Sequence, residues 1–224
     1  MIEHLRETDY DSFLHVYMGH ARKFSEAVIF GGRYEVHEFP DDLWRQADRL
    51  FMGADYGFAN DPSTLVRFFI FENTLYIEFE AGGTSIEFAG NMTDDGRGEL
   101  EQMYDSVPGS RDWPIKGDAS RPETMSFLRD KGFNVEGADK WEGCVEDGIT
   151  HIKGFQKIVI HPRCKETAQE FALYSFKRDK VTGEILPVIV DKWNHYIDAI
   201  RYGLDQYIQR RGTLGLFARL GAGS

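Results

Sequence analysis

The chain has 224 residues, 42% hydrophobic and 14% aromatic, enough for one full-sized domain, or a domain with a small attachment, around a real core. No apolar run approaches the ~20 residues that span a bilayer, and "MIEHLRETDYDSF" lacks the basic-then-apolar layout of a signal peptide, so no membrane partner is expected. A formal charge of −11 argues against a surface coated to hold nucleic acid, though not against a local basic groove beside an acidic metal site.

Residues 1–50 are mixed in character. "ETDYDSFLHVYMGHA" has the helical spacing of Phe13, Leu14 and Tyr17, and "EAVIFGGRYEVHEFP" predicts short extended pieces broken at Gly31-Gly32 and stopped by Pro40. This part is taken as an attachment. "RLFMGADYGF" (49–58) then predicts an apolar strand ending in Asp55, followed by "TLVRFFIFE" (64–72) and "TLYIEFEAGG" (74–83) with Glu72-Asn73 as a tight turn. Three such strands in succession suggest an antiparallel meander. "TDDGRGELEQMYDSV" is a helix, and "DWPIKGDAS" (112–120) a strand ending in Asp118.

"RPETMSFLRDKGF" carries Pro122 in its first turn and Gly132 beyond its end, the punctuation of a helix. "NVEGADK" reads as extended, "EGCVEDGITHIKGF" as a helix and "KIVIHP" as a buried strand. Strands alternating with helices from residue 112 predict an α/β fold in which parallel strands extend the meander into a mixed sheet. In "AQEFALYSFKRDKVTGEILPVIV" two strand-like runs flank "DKVTGE", with Gly183 at a hairpin turn. A terminal helix is expected from about Asp191 to about Arg211, and "GTLGLFARLGAGS" is a Gly-rich, loose tail.

A carboxylate at a strand end recurs at Asp55 and Asp118. A strand end puts a side chain at the sheet rim, where a ligand reaches it without an unpaired charge being buried. If the two strands are neighbours, both carboxylates share one edge, and Asp198 in "WNHYIDAIRYGL" can be delivered there by an apolar helix. Three converging carboxylates with few cations imply bound Mg²⁺ or Mn²⁺, and two such ions serve phosphodiester hydrolysis. His195, one turn before Asp198, could ligate a metal, orient water or simply neighbour the site.

Each residue also has a plainer reading. Asp55 can shape a turn, Asp118 can cap a helix and Asp61 can open an Asp-Pro turn. There is no P-loop motif. Two cysteines, Cys144 and Cys164, form no CxxC pair, as suits a reducing cytosol; with His151 and His161 they match no tight zinc spacing and are read as buried free thiols. Lys177, Arg178 and Lys180, around Phe176, form a small basic patch suited to phosphate contacts or to a solvated hairpin tip.

The ordered series "GADYGFANDPST", "IKGDASRPETMSFLRDKGF", "ADKWEGCVEDGITHIK", "EFALYSFKRDKVTGEILP" and "NHYIDAIRYGL" resembles the C-terminal nuclease domain of the large terminase subunit of tailed bacteriophages. The resemblance implies an RNase H-like fold and a two-metal endonuclease that cuts concatemeric viral double-stranded DNA during packaging. Carried over position by position, it implies Asp55, Asp118 and Asp198 as ligands of two Mg²⁺ or Mn²⁺ ions, with His195 in the H-x-x-D pattern. Asp61 lies in a loop that in the family passes near the metals, and Lys140 stands where lysine is common. Cys144 departs from an expected serine, and no catalytic assignment depends on it. By the same resemblance, residues 1–48 lead out of an ATPase domain, 49–211 form the nuclease and 212–224 a flexible, portal-docking tail. The implied partners are the portal protein, the small terminase subunit and the ATPase domain of the same full-length protein. The implied setting is the packaging motor at the procapsid, in the host bacterial cytoplasm. A junction resolvase, a transposase-like strand transferase and a non-catalytic portal-docking module are the alternatives.

Overall fold

The computed structural model describes residues 26–57, 61–87, 92, 96–179 and 181–208. Strands β2 (Leu50–Asp55), β3 (Ser63–Phe71) and β4 (Thr74–Gly83) form the antiparallel meander. Its second turn is the predicted one: Glu72 and Asn73 both take positive φ, 48° and 59°, the backbone of a two-residue hairpin whose twist matches its strands. Strand β5 (Ile115–Gly117) adds in parallel to β2, and β6 (Val135–Gly137) to β5. On the other side β7 (Lys157–Ile160) adds in parallel to β4. The edge strand β1 (Tyr34–Val36) then pairs with β7, so the sheet reaches back into the 1–48 segment set aside as an attachment. The order is β1-β7-β4-β3-β2-β5-β6.

The central strands are near-continuous apolar runs because both sheet faces are covered. Along β2, Phe51 belongs to one core cluster and Met52 and Ala54 to the other. Helices α1 (Glu99–Asp105) and α2 (Pro122–Asp130) supply Leu100, Tyr104 and Leu128 to one cluster. Helices α3 (Cys144–Lys153), α4 (Lys165–Leu173) and α5 (His195–Gly203) supply Ile152, Phe171, Ile197 and Ile200 to the other. The α2 punctuation holds: Pro122 opens the helix and Gly132 follows it at φ 89°. No helix among the described residues is long and apolar enough to cross a membrane.

Three expectations need correction. "AQEFAL" is helix α4, and the first hairpin strand is only β8 (Phe176–Arg178), paired with β9 (Ile185–Ile189). Thr167, Ala168, Phe171 and Ala172 are all buried, a helical stripe that the aromatic-rich run concealed. Helix α5 starts at His195 rather than near Asp191, because Trp193 sits at φ 62°, which no right-handed helix accommodates. The cysteines are both free, but Cys144 is only half-buried while Cys164 is buried. The predicted N-terminal helix and the Gly-rich tail lie outside the described residues, as does Lys180.

Candidate active site

The sheet brings the two strand-end aspartates together. Strands β2 and β5 are parallel neighbours with Ala54 opposite Gly117, and the Asp118 N–H donates to the Ala54 carbonyl at 3.2 Å. Asp55 and Asp118 therefore leave the sheet at the same end, the rim where ligands of open α/β sheets bind.

Helix α5 reaches that rim because glycine lets it lie directly on β2. A Cβ added at Gly53 would fall 1.7 Å from the Ala199 carbonyl oxygen, and one at Gly203 would strike Phe68. The first turn of the helix then meets the sheet edge: Thr64 Oγ1 donates to the His195 carbonyl at 3.3 Å, and Thr64 is the β3 partner of Asp55. His195 Nδ1 stands 2.9 Å from Asp55 Oδ2, and its Nε2 lies 3.8 Å from the exposed Asp61 carboxylate.

Each carboxylate rests on a partner. Asp198 Oδ1 accepts from Arg201 Nε at 2.9 Å, with the Arg201 Nη2 at 2.8 Å. Asp118 Oδ1 accepts from Lys140 Nζ and from the Ser120 N–H and hydroxyl. The expectation of few cations is thus corrected: Lys140 and Arg201 were not recognised as counter-ions, since the chain separates Lys140 from Asp118 by 22 residues.

The electrostatics follow from this layout. Burial pushes Asp198 up to about 6, and the Asp55 charge adds to the rise although Arg201 and His195 oppose it. The hydrogen bond to Asp55 raises His195 above the usual imidazole range, against the effect of burial. Burial also works upward on Asp118, but Lys140 and Ser120 outweigh it and hold this carboxyl below the ordinary range. Burial raises the Tyr202 phenol, and the charges of Asp198, Asp55 and Asp118 all raise it further. An oxygen-rich set with one imidazole has the donor chemistry of a hard divalent cation. Among the described residues, no three His, Cys, Asp or Glu side chains are grouped closely enough to enclose an ion; Asp118 and Asp198 are paired with Lys140 and Arg201.

Two positioning residues escaped the sequence reading. Glu170, 5% exposed, points into the N-terminus of α5: its carboxylate accepts from the backbone N–H of His195 at 2.9 Å, Tyr196 at 2.8 Å and Ile197 at 3.0 Å. These are donors that a helix leaves without internal partners, and a carboxylate is the acceptor its dipole favours. Burial nevertheless pushes Glu170 up to about 8. Glu80 of β4 does the same for α4, accepting from the N–H of Glu166 and Thr167, each at 2.9 Å, and from the Thr167 hydroxyl at 2.7 Å. Sheet, α4 and α5 are thereby linked by two carboxylates, the half-buried Glu80 and the buried Glu170. The available signal was a glutamate in the middle of an apolar helical stripe.

The basic candidates lie elsewhere. Lys177 and Arg178 are exposed on β8, in the separate two-stranded sheet, where Arg178 donates to the Gly183 carbonyl at 3.2 Å. That hairpin leads through residues 190–194 directly into α5.

Comparison with known proteins accords with this architecture. The chain is 27% identical over 210 residues to the terminase large subunit of Bacillus phage SPP1, covering 90% of this chain and 46% of that protein. It is 28% identical over 158 residues to the PBSX phage terminase large subunit of Bacillus subtilis, covering 69% of this chain and 34% of that protein. The chain thus spans less than half the length of these curated relatives. The crystal structure of the SPP1 large terminase nuclease domain with bound Mn superposes with a TM-score of 0.65 at 26% identity, covering 78% of this chain and 97% of that one. Residues 55–206 match the family described as the terminase RNase H-like domain, and the chain belongs to that family.

Proposed function

We propose that this chain is a divalent-metal-dependent endonuclease that cuts concatemeric viral double-stranded DNA during genome packaging. The observation that supports the reading is that Asp55 and Asp118 stand at the same end of adjacent parallel strands, while the helix seated over Gly53 carries Asp198 one turn after His195, which is held to Asp55. The SPP1 nuclease domain, solved with bound Mn, supports the choice of ion.

Asp55, Asp118 and Asp198 would hold two Mg²⁺ or Mn²⁺ ions. Such ions supply an activated water and neutralise the charge that builds on the attacked phosphate and its leaving oxygen. The chain's own groups do the rest. Asp55 fixes the His195 ring through Nδ1, which leaves Nε2 to orient water or move a proton. Arg201 holds the Asp198 carboxylate in place, and Lys140 is at hand to meet phosphate oxygen if Asp118 turns to a cation. Lys177 and Arg178 on the hairpin, and Lys180 close to them in sequence, are candidates for backbone contacts along the DNA.

Residues 49–211, with the β1 edge strand, make the nuclease unit in this reading. The remainder of 1–48 connects to an ATPase domain of the same protein, and 212–224 is a tail that docks on the portal. The small terminase subunit is a further partner, and the setting is the packaging motor in the host cytoplasm.

Plasmid cleavage in Mn²⁺ tests the assignment. Asp55→Ala and Asp198→Asn should each abolish nicking while the circular-dichroism spectrum stays native, and chelation with EDTA should do the same to the unaltered chain. Full activity in either variant overturns the metal assignment.

A further inference from the structure

Three parallel strands run out at the acidic rim. Asp55 closes β2, Asp118 follows β5, and Lys140 lies just beyond β6. The backbone that carries Lys140 is fixed on two sides. The Ala138 N–H donates to the Gly117 carbonyl at 2.8 Å, and the Asp139 N–H donates at 2.8 Å to Oδ2 of Asp205. Asp205 is 3% exposed and stands just past α5, the helix that carries Asp198. It is a positioning residue that ties the Lys140 loop to that helix.

The loop delivers a charge on a stem that can turn. The Lys140 ammonium donates to Asp118 Oδ1 and to the Ser120 hydroxyl, and lies 5.6 Å from the Tyr202 ring centre. Its side chain is 41% exposed, against 5% for Arg201, whose Nε and Nη2 both meet Asp198 Oδ1. A buried planar fork held at two points stays with its carboxylate; a compact ammonium on an exposed four-carbon stem can leave. A divalent ion bound by Asp118 meets that ammonium as a like charge. At about 5 Å in a water-like dielectric, one single and one double positive charge repel enough to change an affinity roughly tenfold.

We propose that Lys140 is an exchangeable counter-ion of Asp118. The ammonium and the divalent ion contend for the same carboxylate, and the displaced ammonium moves to a phosphate oxygen of the bound DNA while Gly117 and Asp205 keep the loop backbone in place. The proposal rests on the nuclease reading for its ion and its DNA. It makes metal and DNA support each other's binding, since each offers what the other's arrival requires, so the site loads fully only when both are present.

The first test needs no DNA. The free Mn²⁺ signal in electron paramagnetic resonance, titrated with the whole chain, gives the metal affinity. Lys140→Met should bind Mn²⁺ about tenfold more tightly than the unaltered chain, and Lys140→Arg, which keeps the charge, no more tightly. A lysine that only braced the loop would give the opposite sign. Lys157→Met controls for net charge: Lys157 pairs with Glu35 at 2.8 Å, level with Thr74 at the end of β4 away from the rim, and its loss should leave Mn²⁺ affinity unchanged. Unchanged or weaker Mn²⁺ binding by Lys140→Met overturns the exchange, as does a rise of equal size in Lys140→Arg or Lys157→Met. The second test follows duplex binding across a salt series. With Ca²⁺ present, the slope of log affinity against log salt should be smaller by about one in Lys140→Met; with EDTA it should match the unaltered chain. Equal slopes in Ca²⁺, or the same difference in EDTA, overturn the transfer to phosphate. Tighter Mn²⁺ binding by Lys140→Met in a chain that never cleaves plasmid would instead sink the nuclease reading and leave the competition at Asp118 standing.

Discussion

Asp198 and Glu170 show how single side chains carry this site. Asp198 is a half-buried carboxylate that feels the charge of Asp55 and is paired with Arg201, so its charge is expensive to keep and its position is tightly specified. Glu170 meets a sharper conflict: three N–H donors favour its charged form, while burial pushes it up to about 8. The sign of the consequence is definite. A carboxyl whose folded pKa lies above its unfolded value of 4.5 is bound to its proton more tightly when folded, so its contribution to stability is full below about 4.5. That contribution is lost as pH climbs from there toward about 8. Glu170→Gln removes the titration and leaves one acceptor for three N–H groups. Its stability should be lower by about 1–3 kcal/mol but flatter with pH. Thermal midpoints of both proteins at about pH 5 and about pH 8 check this; a steeper fall in the variant contradicts it.

At the scale of elements, α5 is placed by contacts made with backbone rather than by side-chain complementarity alone. Gly53 and Gly203 let helix and strand touch, while Glu80 and Glu170 tie strand to α4 and α4 to α5. Gly53→Ala puts a methyl into the space of the Ala199 carbonyl, a backbone atom that cannot step aside. It should cost about 3 kcal/mol or more, in the range of severe overpacking. By moving α5 about an ångström it should also lower plasmid cleavage about a hundredfold. Gly183→Ala is the control: its turn has φ 73° but open space around the added carbon, so a loss of about 1 kcal/mol without an effect on cleavage is expected. Urea denaturation and initial cleavage rates of the two variants make the comparison, and equal losses would contradict it.

For the whole molecule, net charge sets the interaction with DNA. The chain carries −11 overall, and two of its candidate basic contacts, Lys177 and Arg178, sit on the small hairpin sheet. Lys/Arg contacts to phosphate supply most non-specific affinity through counterion release. The isolated chain should therefore bind duplex DNA weakly at physiological salt, no tighter than the ~10⁻⁶ M limit of ordinary non-specific binding, and should weaken further as salt rises. Fluorescence anisotropy across a salt series measures this. Tight, salt-insensitive binding would contradict it.

Local physics made much of this protein legible in its amino-acid order. Apolar runs with β-branched and aromatic residues marked β2, β3 and β4; Glu72-Asn73 marked their turn; Pro122 and Gly132 bracketed α2; and Asp55 and Asp118 stood at strand ends. Those signals depend on neighbours a few residues away, which is why they survive in one dimension. The same local reading failed at α4, where Phe171 and Leu173 suggested extended chain, because its capping acceptor is Glu80 on a distant strand. Strand adjacency could be stated only as a condition, since pairing β2 with β5 skips over two intervening strands and a helix. The counter-ions Lys140 and Arg201, the Glu170 cap and the Gly53 contact were decided by tertiary structure alone. Each depends on which backbone and which charge lie across space, and burial then multiplies the energy of every such encounter. Composition and punctuation determined the strands, their ends and the acidic residues available there; three-dimensional packing decided which of them meet, and at what protonation.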